Sequence, residues 1–221
     1  MRRKPRTKSR IREHLESIGI AVGVVLLLKV VFIGNYMVPT GSMMPTIGVG
    51  DRLLAVKFPY GAPIPFTSVR VPGYQDPRYG DIVVFEAPHY ESPGLALELL
   101  GPVVYTLTLG QASLDRQPRY YVKRCIGLPG DTIEIRGGRV TVNGTHRDVW
   151  WDCGPAGGRV AEDGAGEEYG PVTVPEGRYF MLGDNRGISY DSRYWGFVAR
   201  NKIYGRVFLR IWPLGRFGPV R

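Results

Sequence analysis

The chain has 221 residues, 43% of them hydrophobic, enough to bury one sizeable core and a smaller satellite, and its 30 Gly and 18 Pro favour many turns and short strands. The formal charge of +9 argues against a nucleic-acid partner because of where it sits: residues 1–16 hold seven Lys and Arg against Glu13 and Glu16, and the remainder is only mildly basic. No repeat of solenoid period and no low-complexity tract is present, so a repeat array is excluded.

The basic arm 1–16 runs into Ile18-Gly-Ile-Ala-Val-Gly-Val-Val-Leu-Leu-Leu-Lys-Val-Val-Phe-Ile-Gly34. About 17 residues at 1.5 Å each is the short end of a membrane-spanning helix, and Lys29 near its outer end is tolerable because the amine can snorkel to the interface. A transmembrane anchor is therefore predicted over 17–34, with the arm in the cytoplasm against anionic lipid headgroups and residues 35–221 outside. A cleaved signal peptide has the same outline, but no small-x-small site follows the apolar run, and a cut there would detach the anchor from what comes next.

What comes next is Val38-Pro-Thr-Gly-Ser-Met-Met-Pro-Thr46, a loop centred on Ser42. Pro39 and Pro45 restrict its backbone, and Gly41 leaves room for a close approach. A serine hydroxyl held this way attacks a carbonyl only when a base takes its proton.

Beyond the loop, residues 51–58 and 81–85 read as strands, separated by a Pro- and Gly-rich loop or extended arm over 59–79. Residues 87–118 are less legible; their apolar centre, 95–109, either packs on the core or lies on the outer membrane surface. Residues 120–131, Tyr-Tyr-Val-Lys-Arg-Cys-Ile-Gly-Leu-Pro-Gly-Asp, form a buried strand that ends in a Pro-Gly turn. Lys123 on that strand is the candidate base, since desolvation lowers a lysine pKa from about 10.4 towards the working pH. Cys125 shares its strand face and is expected to be a buried free thiol, while Cys153 is either free or paired between molecules. Strands at 132–136 and 139–143 flank Gly137-Gly138 as a hairpin, and Asn143-Gly144 reads as a turn rather than a glycosylation site. With residues 146–175 they make a smaller inserted lobe, about 136–177. The chain returns through 179–183, a polar stretch to Arg193, and an alternating strand over 203–212. The fold class is mostly β. His14, His89 and His146 are scattered, and no ligand cluster suggests a metal.

Four segments occur in a telling order: Ser42-Met-Met-Pro-Thr46, Gly80-Asp-Ile-Val-Val-Phe85, Lys123-Arg-Cys-Ile-Gly-Leu-Pro-Gly-Asp131 and Gly183-Asp-Asn-Arg-Gly-Ile-Ser-Tyr-Asp-Ser-Arg193. Together the chain resembles the bacterial type I signal peptidases, from the apolar segment almost to the C-terminus. The resemblance implies a signal-peptidase-like β core with a Ser42–Lys123 dyad that needs no cofactor. It further implies an oxyanion hole from the Ser42 N–H and the Thr40 hydroxyl, with Ser189 orienting the lysine amine. Asp191 and Arg193 become a structural ion pair, with Asp184 in the same support. The implied substrates are signal peptides of exported preproteins with small residues at the first and third positions before the cut, bound as an added strand. Met43, residues 81–85 and residues 121–124 are the expected pocket walls. Gly187 and Ile188 depart from the polar residues that other members carry. Two alternatives stay open: a serine-lysine peptidase dedicated to one secreted substrate, and an inactive membrane module that binds signal sequences.

Overall fold

A computed structural model describes residues 13–14, 16–21, 32–61, 72–90, 104, 120–146 and 168–220. The described strands are β1 Ile33–Met37, β2 Arg52–Val56, β3 Ile82–Glu86, β4 Tyr120–Gly127, β5 Thr132–Arg136, β6 Arg139–Val142, β7 Thr145–His146, β8 Tyr169–Thr173, β9 Arg178–Leu182, β10 Val198–Ala199, β11 Ile203–Trp212 and β12 Gly218–Pro219. Eight of them form one sheet in the order β1-β2-β11-β3-β4-β9-β10, with β12 added on β11; the other four form a smaller sheet, β7-β6-β5-β8. The mostly β class is therefore observed, and the paired registers are antiparallel throughout.

Alternation explains how β4 serves two environments at once. Lys123 pairs with Val83 and Arg124 with Ile82 across the β3 ladder, so consecutive side chains point to opposite faces. Cys125, Val83, Phe85 and Met181 share one buried cluster, whereas Ile82 and Val84 belong to another with Met43, Ile47, Leu53 and Ala55. β3 is buried on both faces, which is why its sequence, Ile-Val-Val-Phe, is continuously apolar rather than alternating.

The smaller sheet starts earlier than its predicted boundary. β5 belongs to it in full, and Ile133, Ile135, Val140 and Val142 pack in one cluster with Ile126, Phe180 and Leu182 of the large sheet. The lobe thus shares a core with the large sheet, because the buried face of its hairpin needs that partner. Its turns follow the expected chemistry: Gly137 and Gly138 both have positive φ (54° and 76°), as do Asn143 and Gly144 (53° and 73°), as a two-residue turn of that hand requires.

At the N-terminal side, residues 13–14 and 16–21 are helical. The predicted anchor over 17–34 is too long at its outer end, since Ile33 and Gly34 belong to β1, paired with Val56 and Ala55. Their backbone bonds are satisfied by β2, so they are part of the sheet. Among the described residues no helix is long and apolar enough to cross a membrane, and residues 22–31 lie outside them. So do residues 91–103 and 105–119, which contain most of the ambiguous apolar stretch, and residues 147–167, including Cys153. Cys125 is free and buried, as expected.

Candidate active site

Ser42 is delivered by a tight turn between β1 and β2. Met44 N donates to the Gly41 carbonyl at 3.0 Å and Ile47 N to the Met43 carbonyl at 2.8 Å, while Met43 and Ile47 anchor the turn in the core. The base of the loop is closed by Gly50 N on the Val38 carbonyl at 2.8 Å and Val38 N on the Asp51 carbonyl at 3.0 Å. Residues 81 positions apart in sequence then meet: Lys123 Nζ donates to Ser42 Oγ at 2.6 Å. Thr40 Oγ1 lies 3.5 Å from the same oxygen.

The lysine is 4% exposed. Burial lowers its pKa from 10.5 to about 8; Asp191 pulls it back up, Arg193 pushes it down, and Asp184 pulls it up again. Neither carboxylate holds the amine in an ion pair, because each already has its own cation. Arg193 Nε donates to Asp191 Oδ1 at 2.8 Å, with the two side chains 6% and 0% exposed. Arg124 forks onto Asp184, with Nε on Oδ1 at 2.8 Å and Nη2 on Oδ2 at 2.7 Å, and its Nη1 donates to the Gly80 carbonyl at 2.9 Å. The two pairs compensate their own charge, so desolvation decides the lysine's state. An amine titrating near 8, in contact with a hydroxyl on a constrained turn, has the makings of a general base and nucleophile.

The 183–193 loop ties down the other side. Gly183 N donates to Asp191 Oδ2 at 3.0 Å, Arg193 Nη2 caps the Arg186 and Ser189 carbonyls, and Asn185 N donates to the Ser42 carbonyl at 3.0 Å. Gly183 is needed here for space: a Cβ would fall 2.1 Å from Ser189 Oγ and 2.5 Å from the Ser42 carbonyl oxygen.

Three sequence expectations change. Ser189 is buried, but its Oγ makes no hydrogen bond among the described residues, so the expected bond to Lys123 is not made; the hydroxyl faces the bare Cα of Gly183 instead. Met43 is 1% exposed and packs into the core cluster with Ile47, Leu53 and Val84, while the exposed methionine of the turn is Met44 at 45%. Asp184 sits in a buried fork of its own, next to the Asp191–Arg193 pair, and its partner is Arg124, a residue whose role the sequence reading missed. The available signal was a Lys-Arg pair in a strand otherwise apolar on both sides: two consecutive buried cations demand two separate solutions. The β3 stretch of the expected walls is also internal, hydrogen-bonded on both sides by β11 and β4.

The family described as Signal peptidase, peptidase S26 matches residues 11–212. The chain belongs to the S26 signal peptidase family. Signal peptidase I of Leptolyngbya laminosa is 33% identical over 217 residues, covering 98% of this chain and 87% of the relative. The probable signal peptidase I-2 of Synechocystis is 38% identical over 181 residues, covering 82% of this chain and 64% of that protein. Signal peptidase I of Bacillus caldolyticus is 35% identical over 205 residues, 90% of each chain. As an S26 member the chain is a serine endopeptidase that removes signal peptides from preproteins.

Proposed function

We propose that this S26 peptidase cuts by a Ser42–Lys123 dyad. Neutral Lys123 takes the Ser42 proton as Oγ bonds to the scissile carbonyl carbon. The C–N bond then breaks, the mature protein leaves as an amine carrying that proton, and the signal peptide stays as an ester on Ser42. Lys123 next removes a proton from water, which hydrolyses the ester. The observation that carries this is the 2.6 Å approach of a lysine amine, 4% exposed and with no carboxylate partner among the described residues, to the serine oxygen.

The oxyanion is taken by the Ser42 N–H, which donates to no acceptor among the described residues, and by the Thr40 hydroxyl, exposed beside Ser42. Thr40→Ala then lowers kcat by about 10²-fold with KM little changed, the usual effect of losing one such donor; equal kcat for parent and variant would refute the assignment. Ser189 keeps a lysine-orienting role at a later step: once Ser42 is acylated, its oxygen stops accepting from Lys123, and the buried Ser189 hydroxyl, which has no hydrogen-bond partner among the described residues, is free to accept in its place.

The substrate adds as a strand. β9 pairs with β4 from Arg124 onward, so the backbone before it, beside Lys123, lies outside that ladder and supports β-augmentation by the residues preceding the cut. The apolar run before β1 anchors the protein in the membrane, the basic arm stays on the cytoplasmic side with lipid headgroups, and the β domain works on the far side; the charge pattern supports this orientation.

The decisive test is cleavage of a preprotein in detergent or lipid by the parent and by Ser42→Ala, with products weighed by mass spectrometry. A cut after a small-x-small motif that vanishes in the variant is expected. A cut by both proteins would mean a different nucleophile. A panel of signal peptides separates broad processing from a single dedicated substrate.

A further inference from the structure

A second polar cluster lies behind the nucleophile loop, built from parts far away in sequence. Asp51 ends the loop, and its side chain is 2% exposed. Its Oδ2 accepts from Gly48 N at 2.9 Å and from Arg210 Nη1 at 3.2 Å, and its Oδ1 accepts from Arg216 Nη1 at 3.4 Å. Each arginine also reaches the loop backbone: Arg210 Nη1 donates to the Thr46 carbonyl at 3.0 Å, and Arg216 Nη2 to the Pro45 carbonyl at 3.5 Å. The two arginines are joined to each other through Arg210 Nε on the Arg216 carbonyl at 2.6 Å. Gly48 makes room for them, since a Cβ there would lie 2.6 Å from Arg216 Nη1.

The loop that carries Ser42 is thus held at three places. Its base is closed by the Val38, Gly50 and Asp51 backbone, its front by Asn185 N on the Ser42 carbonyl, and its back by two guanidiniums from β11 and the turn after it. The carbonyls at the back belong to residues only three and four positions beyond Ser42, within the same tight turn. A rotation there is transmitted to Ser42 because Met43 and Ile47 are fixed in the core and leave few other ways to relax.

We infer that Arg210 and Arg216, acting through Asp51 and the Pro45 and Thr46 carbonyls, are positioning residues that set the aim of Ser42 at Lys123. This rests on Ser42 being the nucleophile. A guanidinium suits the task because its planar fork bonds a carboxylate and a carbonyl together, which an ammonium does less well.

The test uses the full chain in detergent, with kcat and KM on a preprotein and thermal melts for parent, Arg210→Gln, Arg210→Lys, Arg216→Gln and Gly48→Ala. Misplacement of a reacting group by about 1 Å costs on the order of 10²-fold. The Gln variants are therefore expected to lose about that factor in kcat with KM within about twofold of the parent, and Arg210→Lys to recover part of it. Gly48→Ala displaces the Arg216 head while leaving every charge in place, at a position whose backbone accepts alanine. It keeps the test open if a Gln variant fails to fold, and is expected to cost about tenfold in kcat. Parent-like kcat in the folded variants, a loss confined to KM, or a loss that disappears on cooling well below each melting point would overturn the inference. A Ser42→Ala control that still cleaves would instead overturn the dyad reading beneath it.

Discussion

The two faces of β4 treat a buried cation in opposite ways. Arg124 and Lys123 are neighbours, 2% and 4% exposed. Arg124 meets Asp184 in a two-bond fork and the Gly80 carbonyl besides. Among the described residues Lys123 meets a serine hydroxyl and no carboxylate, and burial drags its pKa to about 8. The difference teaches that burial by itself does not define a base. A buried cation with a full set of acceptors becomes a brace, whereas one denied a counter-ion gives up its proton near neutral pH, as the proposed general base must. The residue type follows the use, since a guanidinium does not deprotonate and an ammonium does.

Substituting Lys123 breaks the comparison most severely. Lys123→Met and Lys123→Arg are both expected to lose cleavage by about 10⁴-fold or more, the first for lack of a base and the second for a cation that keeps its proton. Their stabilities should part. The fall from 10.5 to about 8 corresponds to roughly 3 kcal/mol held against the protonated amine, so Lys123→Met should melt at or above the parent at pH 7. Because the folded pKa is depressed, the unfolded chain binds more protons between about 8 and 10.5, and the lysine's contribution makes the parent gain stability as pH rises through that window. The gap between parent and Met variant should narrow there in pH-dependent denaturant titrations; a constant gap would mean that Lys123 is not desolvated.

Arg124 sharpens the contrast from the other side. Asp184→Asn leaves the guanidinium without its carboxylate and should destabilise by about 3–5 kcal/mol, read from urea midpoints. A drop below about 1 kcal/mol would show that the fork is not a brace.

A finer effect concerns compensation. Arg193→Gln leaves Asp191 without its cation, and Asp191 raises the pKa of Lys123. The kcat/KM of the parent should rise with pH through about 8. In the variant that rise should move up by about one pH unit. An unshifted profile would mean that the pair is electrically silent at the lysine.

Much of this was legible without coordinates, and the reason is local chemistry. The Gly137-Gly138 and Asn143-Gly144 turns announce themselves by residue type, the β11 strand by alternation, and Ser42 by its place between two prolines. The apolar surroundings of Lys123 advertised its desolvation. Less legible was anything that depends on which distant segments pair. Asp184 and Asp191 look alike in one polar stretch, and only the fold sends one to Arg124 and the other to Arg193. Met43 and Met44 are adjacent and alike, and the turn buries one and exposes the other. The outer end of the apolar run passes for anchor until β2 is seen to claim Ile33 and Gly34.

The sequence alone determined the kinds of groups present and their local geometry: an apolar run behind a basic arm, a constrained serine turn, a lysine in a strand, and a hairpin. Turn propensity, side-chain alternation and hydrophobic period act over a few residues, so they are written where they act. Tertiary structure decided the pairings: Lys123 on Ser42 across 81 residues, Arg124 on Asp184 across 60, Arg210 and Arg216 on Asp51 across 159 and 165. Such contacts are set by sheet order and register, to which no short stretch of chain commits by itself. The electrostatics of the site follow from them, because a charge is a base, a brace or a clamp according to what the fold brings to it.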